Sequence, residues 1–509
     1  MKKHEEIVIV GAGPAGMACS MELSKAGKKS TTIEKEESVG GLAKTLIFKE
    51  GKEIFRTDIG PHRFFSKNPY LYSFIENLLH EKWLEVPRLT RQYIDGKFYN
   101  YPINASQAFK NLGLLKSMNI GTDYAFAFID YKILRKRIVS FEDYVVANFG
   151  RALSEMNMIN YTEKIWGLPC KEIHPDWARQ RIRGLNLISA VKTAIFKGDK
   201  KSGPKTLVDQ FYYPQYGTGL IYDTIAGRVS ENGSKIFVNS SPRKIKHKNS
   251  KIVEIEFDAN GKKKTIKPKF LVESVPITEF LESLSPEPPA EVLQAAKNLE
   301  WRSQVYLFLT INKNSVMEDN WVYFPDKHIP FGRIAEMKNF SKDMAPKDKT
   351  SLFVEYFVFE NDETWNMSKE EVFEMTIKEL EKLGFVDRSE VINYYLIKRK
   401  NVYPVYDLKY QKYLEIVKSY LNGFKNLFYV GRPGRFKYNN QDHSLEMGIL
   451  AARSIIEGKR YDFEKSGAED EYFEKGSIKL KEDPVEKKSY NWMILEDRGG
   501  YNGKEDAGK

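Results

Sequence analysis

The chain has 509 residues, 41% hydrophobic and 13% aromatic, with a formal net charge of +11; that length allows about three domains, and the apolar content excludes global disorder. The positive excess suits an anionic partner, yet no Lys/Arg-rich block with interleaved aromatics stands out, which argues against nucleic acid. Only Cys19 and Cys170 are present, neither with a partner at metal-ligand spacing, so a reducing cytoplasm and no metal site are expected.

At the N-terminus, "EEIVIVGAGPAGMACSMELSKAGKKSTTIEKE" opens on an apolar run too short for the core of a signal peptide. That run, Ile7 to Val10, is β-branched and suits a buried parallel strand. Gly11, Gly13 and Gly16 follow at G-x-G-x-x-G spacing, and an Ala/Met/Leu helical pattern closes at Ala26-Gly27. Thr31 to Ile33 gives a second strand, ended by Glu34. The separation from Gly16 (34 − 16 = 18) is close to the ~20 expected of an acid that binds a ribose hydroxyl. In such a unit the glycines allow a tight turn, a close approach to pyrophosphate and a helix packed on the strand. The helix dipole then favours the phosphate charge. Strand, turn, helix, strand and acid in this order predict a dinucleotide-binding domain.

Further along come "EKEESVGGLAKT", with Gly40, Gly41 and Leu42, and "TDIGPHRFF", with Asp58, Gly60 and His62. "RLTRQYIDGKFYNYPIN" holds two strand-like runs joined by Asp95-Gly96, a hairpin signal. Residues 105 to 195 are mostly helical in pattern, and 196 to 206 form a Lys/Gly/Pro loop. "FVNSSPRKIKHKNSKIVEIEFDANGKKKTIKPKFLVESVP" alternates like strands about Asn260-Gly261 and reads as a return to the first domain. Then "QVYLFLTI" and "SLFVEYFVF" are strand-like, and a helix is expected from about Lys369 to Leu383. Leu427 to Val430 reads as a strand, Gly431 opens a loop, and Ser444 to Ile456 reads as a helix. Asn439, Asn440, Gln441, Asp442 and His443 crowd the start of that helix. Capping needs one or two such side chains, so the surplus predicts a ligand there. From about Tyr461 the chain is charged and aperiodic, and is expected to be a tail. No run of about 18 apolar residues occurs, so no transmembrane helix is expected, although peripheral membrane contact stays open.

The N-terminal segment, the Gly40-Gly41 turn and the polar start of the last helix resemble the FAD-binding parts of the flavin amine oxidase and protoporphyrinogen oxidase-like superfamily. The resemblance implies an α/β fold. A discontinuous Rossmann-type FAD-binding domain (1–95, 206–290 and 401–460) would be interrupted by a mainly helical substrate insertion (96–205) and a mixed α/β substrate domain (291–400), with a tail at 461–509. It implies FAD contacts from Gly11, Gly13, Ala15, Gly16, Glu34, Gly41, Leu42, Asp58, Gly60, Asn440, Gln441 and Ser444, and a role for His62 beside the isoalloxazine ring.

"YTEKIWGLPCKEIHPDWARQRI", "FYYPQYGTGLIYDTIA", "WVYFPDKHIPFGRIAEMKNFS" and "NNQDHSLEMG" narrow the likeness. Their order resembles eukaryotic-type UDP-galactopyranose mutases over roughly residues 5 to 457. What this implies is a pyranose/furanose interconversion of a UDP-sugar, with reduced flavin N5 as nucleophile and NADPH or NADH as candidate reductant. Arg181, four residues after Trp177, and Arg333, in "PFGR", match arginines that grip the diphosphate, where bidentate contacts are beyond lysine. Tyr101 and Asn104 match positions by the base, Trp321 and Tyr323 an aromatic pair near the substrate, and Tyr403 a tyrosine on the diphosphate. Two departures stand out. Asn104 replaces a glutamine, and Phe436 occupies the place of a family tyrosine, for which Tyr438 is the nearby substitute. The alternative implied by the same scaffold is an oxidase or desaturase acting on an amine or a cyclic, lipid-like substrate.

Overall fold

The computed structural model describes residues 6–66, 68–101, 105–178, 210–259, 261–466 and 500–501. Arg181, Asn104, the 196–206 loop and most of the expected tail lie outside them.

The strand Ile7–Val10 is fully buried at the centre of a five-stranded parallel sheet. Ser30–Ile33 and Lys235–Phe237 extend it on one side, Phe270–Glu273 and Leu427–Tyr429 on the other. Ile7 and Ile9 face one apolar cluster, with the helices Pro14–Lys25 and Gln441–Glu457; Val8 and Val10 face another. A strand covered on both faces needs an unbroken apolar run, which explains "IVIV". The chain turns first to one side of this strand and later to the other, so a topological switch point lies at its C-terminal end.

A second sheet has seven strands, in the order Val391–Pro404, Trp301–Ile311, Thr350–Val358, Arg333–Glu336, Trp321–Tyr323, Thr90–Ile94 and Lys97–Asn100. One face, with Leu307, Val322, Ile334 and Val354, packs on the helix Lys369–Lys382. The other, with Tyr306, Phe308, Trp321 and Phe353, packs against Phe55 of the hairpin Thr45–Glu50/Glu53–Asp58. The two sheets are therefore joined through that hairpin.

Four expectations need correcting. Gly431 opens a short helix, Gly431–Arg435, where a loop was expected. Asp95 and Gly96 do make a hairpin turn, with φ of 49° and 76°. But Thr90–Ile94 pairs in parallel with Trp321–Tyr323, so the first segment of the nucleotide domain ends before residue 90 rather than at 95. The last helix starts at Gln441, not Ser444. Residues 461–466 are docked rather than tail: Glu464 pairs with Arg435, with Lys418 at 2.6 Å and with Lys437 at 3.8 Å. Those cations hold its carboxyl down at about 2 despite burial. Among the described residues, no helix is long and apolar enough to cross a membrane.

Candidate functional site

Two glycine turns face each other at the end of the central strand. A Cβ on Gly41 would lie 3.0 Å from Gly13 Cα, and Gly40 N donates to Ala12 O at 2.8 Å. Gly16 cannot carry a Cβ, which would sit 2.0 Å from Gly11 O. The helix Pro14–Lys25 starts here, with Pro14 in its first turn, where the missing N–H costs nothing. Buried Glu34 closes the turn: Oε2 accepts from Ala12 N at 2.6 Å and Oε1 from Glu36 N at 2.9 Å. Bare backbone, a helix N-terminus and a carboxylate at one spot fit the pyrophosphate and ribose of a dinucleotide. The Ala15 side chain is packed instead into a helix crossing, where Cβ atoms on Gly431 and Gly448 would meet Ala15 at 3.1 and 2.0 Å.

The crowded helix start is built from buried groups that are not ordinary caps. Asn440 stands at the cap position without a side-chain cap bond. Tyr222 Oη donates to Gln441 Oε1 at 2.9 Å, and Ser444 Oγ donates to Asn439 Oδ1 at 3.0 Å. These oxygens brace the turn, whereas Asn439 Nδ2 is buried with no acceptor among the described residues, so that amide and the backbone N–H groups of the first helical turn are left for a ligand.

Between this helix start and the second sheet lies a wall of aromatics and arginines. Cross-strand pairing sets Tyr323 against Arg333, and Arg333 against Glu355. Arg333 Nη2 donates to Glu355 Oε2 at 2.6 Å, whereas its buried Nε has no acceptor among the described residues. Burial raises the Glu355 carboxyl; Arg333 opposes that rise. Gly60 lies alongside, where a Cβ would be 3.8 Å from Arg333 Nη2. Tyr323 meets Tyr101 at 5.4 Å, Tyr161 at 5.3 Å and Trp321 at 6.4 Å, all edge-on. Tyr403 stacks on Tyr438 at 5.4 Å, with the Arg432 guanidinium 5.1 and 5.2 Å from the two ring centroids. Arg432 also donates from Nε to Asn439 O at 2.9 Å, tying this stack to the helix start. Burial and then Tyr438 push the Tyr403 hydroxyl up to about 12, so it remains a donor at neutral pH.

Phe436 adopts a left-handed backbone (φ 47°) that turns its ring onto Trp301, 4.7 Å away and away from the wall. The chain then delivers Tyr438 to the wall, two residues later. Of the sequence candidates, Gly60, Tyr101, Trp321, Tyr323, Arg333, Tyr403 and Tyr438 come together here. Arg432, Tyr161 and Glu355 join them unforeseen. Lys164 is a further surprise. Its Nζ donates to the carbonyls of Phe324, Asp326 and Ile329 at 2.6 to 2.9 Å, fastening the loop after Tyr323 to the helix Asn160–Trp166.

His62 and Asp58 flank Gly60 with opposite titration behaviour. His62 Nε2 lies 2.9 Å from Leu42 O, so that nitrogen carries the proton. Burial, then Arg432 and Arg333 nearby, lower its pKa from 6.5 to about 4. Buried Asp58 accepts from Thr45 Oγ1 (2.6 Å), Tyr213 Oη (2.7 Å) and Thr218 N (3.0 Å), so it braces the hairpin rather than facing a ligand. Burial raises it from 3.8 to about 6 against those bonds. The His62 contribution to stability is present above pH 6.5 and lost as pH falls towards 4. The Asp58 contribution is present below 3.8 and lost as pH rises towards 6. Each is on the order of 3 kcal/mol. The two slopes oppose each other between pH 4 and 6. Relative to wild type, the urea midpoint of Asp58→Asn is expected to rise with pH in that window, and that of His62→Gln to fall. Parallel profiles for all three proteins would refute this reading.

Comparison with known proteins agrees with the geometry. Residues 9–78 match the NAD(P)-binding Rossmann-like domain family. The structure of a reduced UDP-galactopyranose mutase superposes with a TM-score of 0.78 over 92% of this chain and 96% of that one, at 21% identity. Putrescine oxidase bound to putrescine gives 0.56 over 89% and 99%, at 16% identity. The L-amino acid oxidase Lm29 of Lachesis muta is 27% identical over 133 residues, 23% of this chain. The match spans about a quarter (25%) of that relative's length. The chain thus has a mixed α/β, Rossmann-containing fold like that of the UDP-galactopyranose mutase and putrescine oxidase structures.

Proposed function

We propose that this chain is an FAD-dependent mutase that interconverts the pyranose and furanose forms of a nucleotide sugar. The observation that carries the proposal is Arg333. Its guanidinium is fixed by Glu355 beside Gly60, with a buried Nε that has no acceptor among the described residues, and tyrosines surround it. A nucleotide diphosphate supplies the missing acceptor, in the bidentate manner an arginine fork allows. Gly11, Gly13, Gly16, Gly41 and Glu34 would hold FAD, with the N–H groups at the Gln441 helix start by its ring. When bound and reduced, by NADPH or NADH, the cofactor supplies the nucleophile for the anomeric carbon. The protein's own part is electrostatic. Arg333 and Arg432 stabilise charge on the departing diphosphate, and the Tyr403 hydroxyl donates to it. Neutral His62, held on Leu42 O, adds no further positive charge there. Arg181 and Asn104 belong to this proposal from sequence alone.

A second reading, an oxidase of an amine or a cyclic substrate, is favoured by the partly exposed rings of Tyr101, Tyr161, Tyr323, Tyr403 and Tyr438. Redox state separates the two. A mutase acts only when reduced, and turns over without consuming reductant in step with product. The test incubates purified protein with UDP-galactopyranose anaerobically after dithionite reduction, and in air when oxidised. Activity confined to the oxidised form, with peroxide matching product, would select the oxidase. A protein that neither carries nor takes up FAD would end both readings.

A further inference from the structure

The helix Ala105–Phe128 and the π-helical turn Ile129–Ile133 turn a second apolar face to solvent. Beyond a kink at Gly113, Leu115, Met118, Phe126, Ile129 and Ile133 recur at helical spacing on one side, and are 84, 59, 69, 43 and 62% exposed. The opposite side has a core of its own, where Ala127 packs with Phe141 and Val145. An amphipathic helix normally spends its only apolar stripe on the core. Here a stripe remains, larger than scattered surface residues would make. At its end the chain reads "YKILRKRIV" (131–139), with exposed Lys132, Arg135 and Arg137 alternating with Ile133, Leu134 and Val139. Among the nearby carboxylates, Asp143 is taken by Tyr131 and Lys136, and Glu142 by Arg151; Asp130 is exposed.

We propose that this face docks on the surface of an anionic lipid bilayer, with the helix in the plane of the headgroups. The apolar stripe enters the boundary between headgroup and acyl chain, and the three cations meet lipid phosphates. Charge decides between this partner and a second copy of the chain. A two-fold interface sets the same patch against itself, so Lys132, Arg135 and Arg137 of both copies would crowd across an apolar seam. An anionic membrane satisfies stripe and cations together. The proposal is independent of the reaction catalysed.

The experiment is flotation of the full chain with phosphatidylcholine vesicles, alone or with about one third phosphatidylglycerol. Wild type is expected to float with the anionic vesicles at low salt and to stay behind with phosphatidylcholine alone. Phe126→Asp/Ile133→Asp should lower partitioning at least tenfold. Lys132→Gln and Arg137→Gln should each lower it about fivefold, the value of one cation at such a surface. Because these side chains are exposed, circular dichroism and thermal melting should match wild type. Failure of wild type to float with either vesicle would overturn the proposal, as would equal flotation of all variants. So would a concentration-dependent dimer broken by the double variant without vesicle binding, which would assign the face to a second copy.

Discussion

Gly448→Ala is expected to abolish the folded nucleotide-binding domain. The helix Gln441–Glu457 crosses Pro14–Lys25 so closely that a Cβ at 448 would lie 2.0 Å from Ala15 O and 2.9 Å from Ala15 C. Those are backbone atoms, so no rotamer change relieves the clash. The helices must separate, opening the crossing beneath the glycine turn. We expect a loss above about 4 kcal/mol, beyond ordinary overpacking. Gly458→Ala is the control. That glycine caps the same helix at φ 74° with nothing within 4 Å of the added carbon, and should cost about 1 kcal/mol. Soluble yield and urea midpoints decide the matter. Equal stability of the two variants would show that the helices do not cross as described.

Arg333→Ala should have two separable effects. It strands the fully buried Glu355 carboxylate, which by itself should destabilise the fold by about 3–5 kcal/mol. Adding Glu355→Gln removes the unpaired charge and should restore much of that loss. The double variant should then keep its FAD but bind a UDP-sugar on the order of 10- to 100-fold more weakly, through loss of about 1.5–3 kcal/mol of charge-assisted hydrogen bonding. Titration of reduced protein with UDP-galactose, beside a flavin spectrum, reads both quantities. Wild-type affinity in the double variant would reassign Arg333 to structure.

The nucleotide cradle is legible in the sequence because its elements are local. Four β-branched residues, three glycines and an acid lie within a few dozen positions, and each has one geometric job. The wall opposite is not local. Tyr323, Arg333 and Glu355 meet only through the pairing of three strands. The one sign in the sequence is Glu355 itself, a lone carboxylate in "SLFVEYFVF", which a buried strand tolerates only with a partner. Arg432, in the short helix Gly431–Arg435, shows no such sign, since an arginine there pairs with solvent as readily as with two tyrosines. The start of the last helix, three residues before the expected Ser444, is not legible because its apolar repeat becomes regular only at Leu445. The hairpin at Asp95-Gly96 is legible but its sheet is not, because turn chemistry says where a strand reverses and not which distant strand it joins.

The five-stranded sheet joins strands from opposite ends of the chain. Ile7–Val10 lies at its centre, but Leu427–Tyr429 closes one edge, and the helix that seals the first one ends at Glu457. During synthesis the glycine turn is made almost first, then waits for more than four hundred residues. At about 5–20 residues per second that is roughly 20–80 s. Through that interval the face of Pro14–Lys25 that Gly448 will cover has nothing to pack against. The dinucleotide site is therefore a late product of translation, and a ribosome stalled before Gln441 holds a chain with the whole fingerprint and no site.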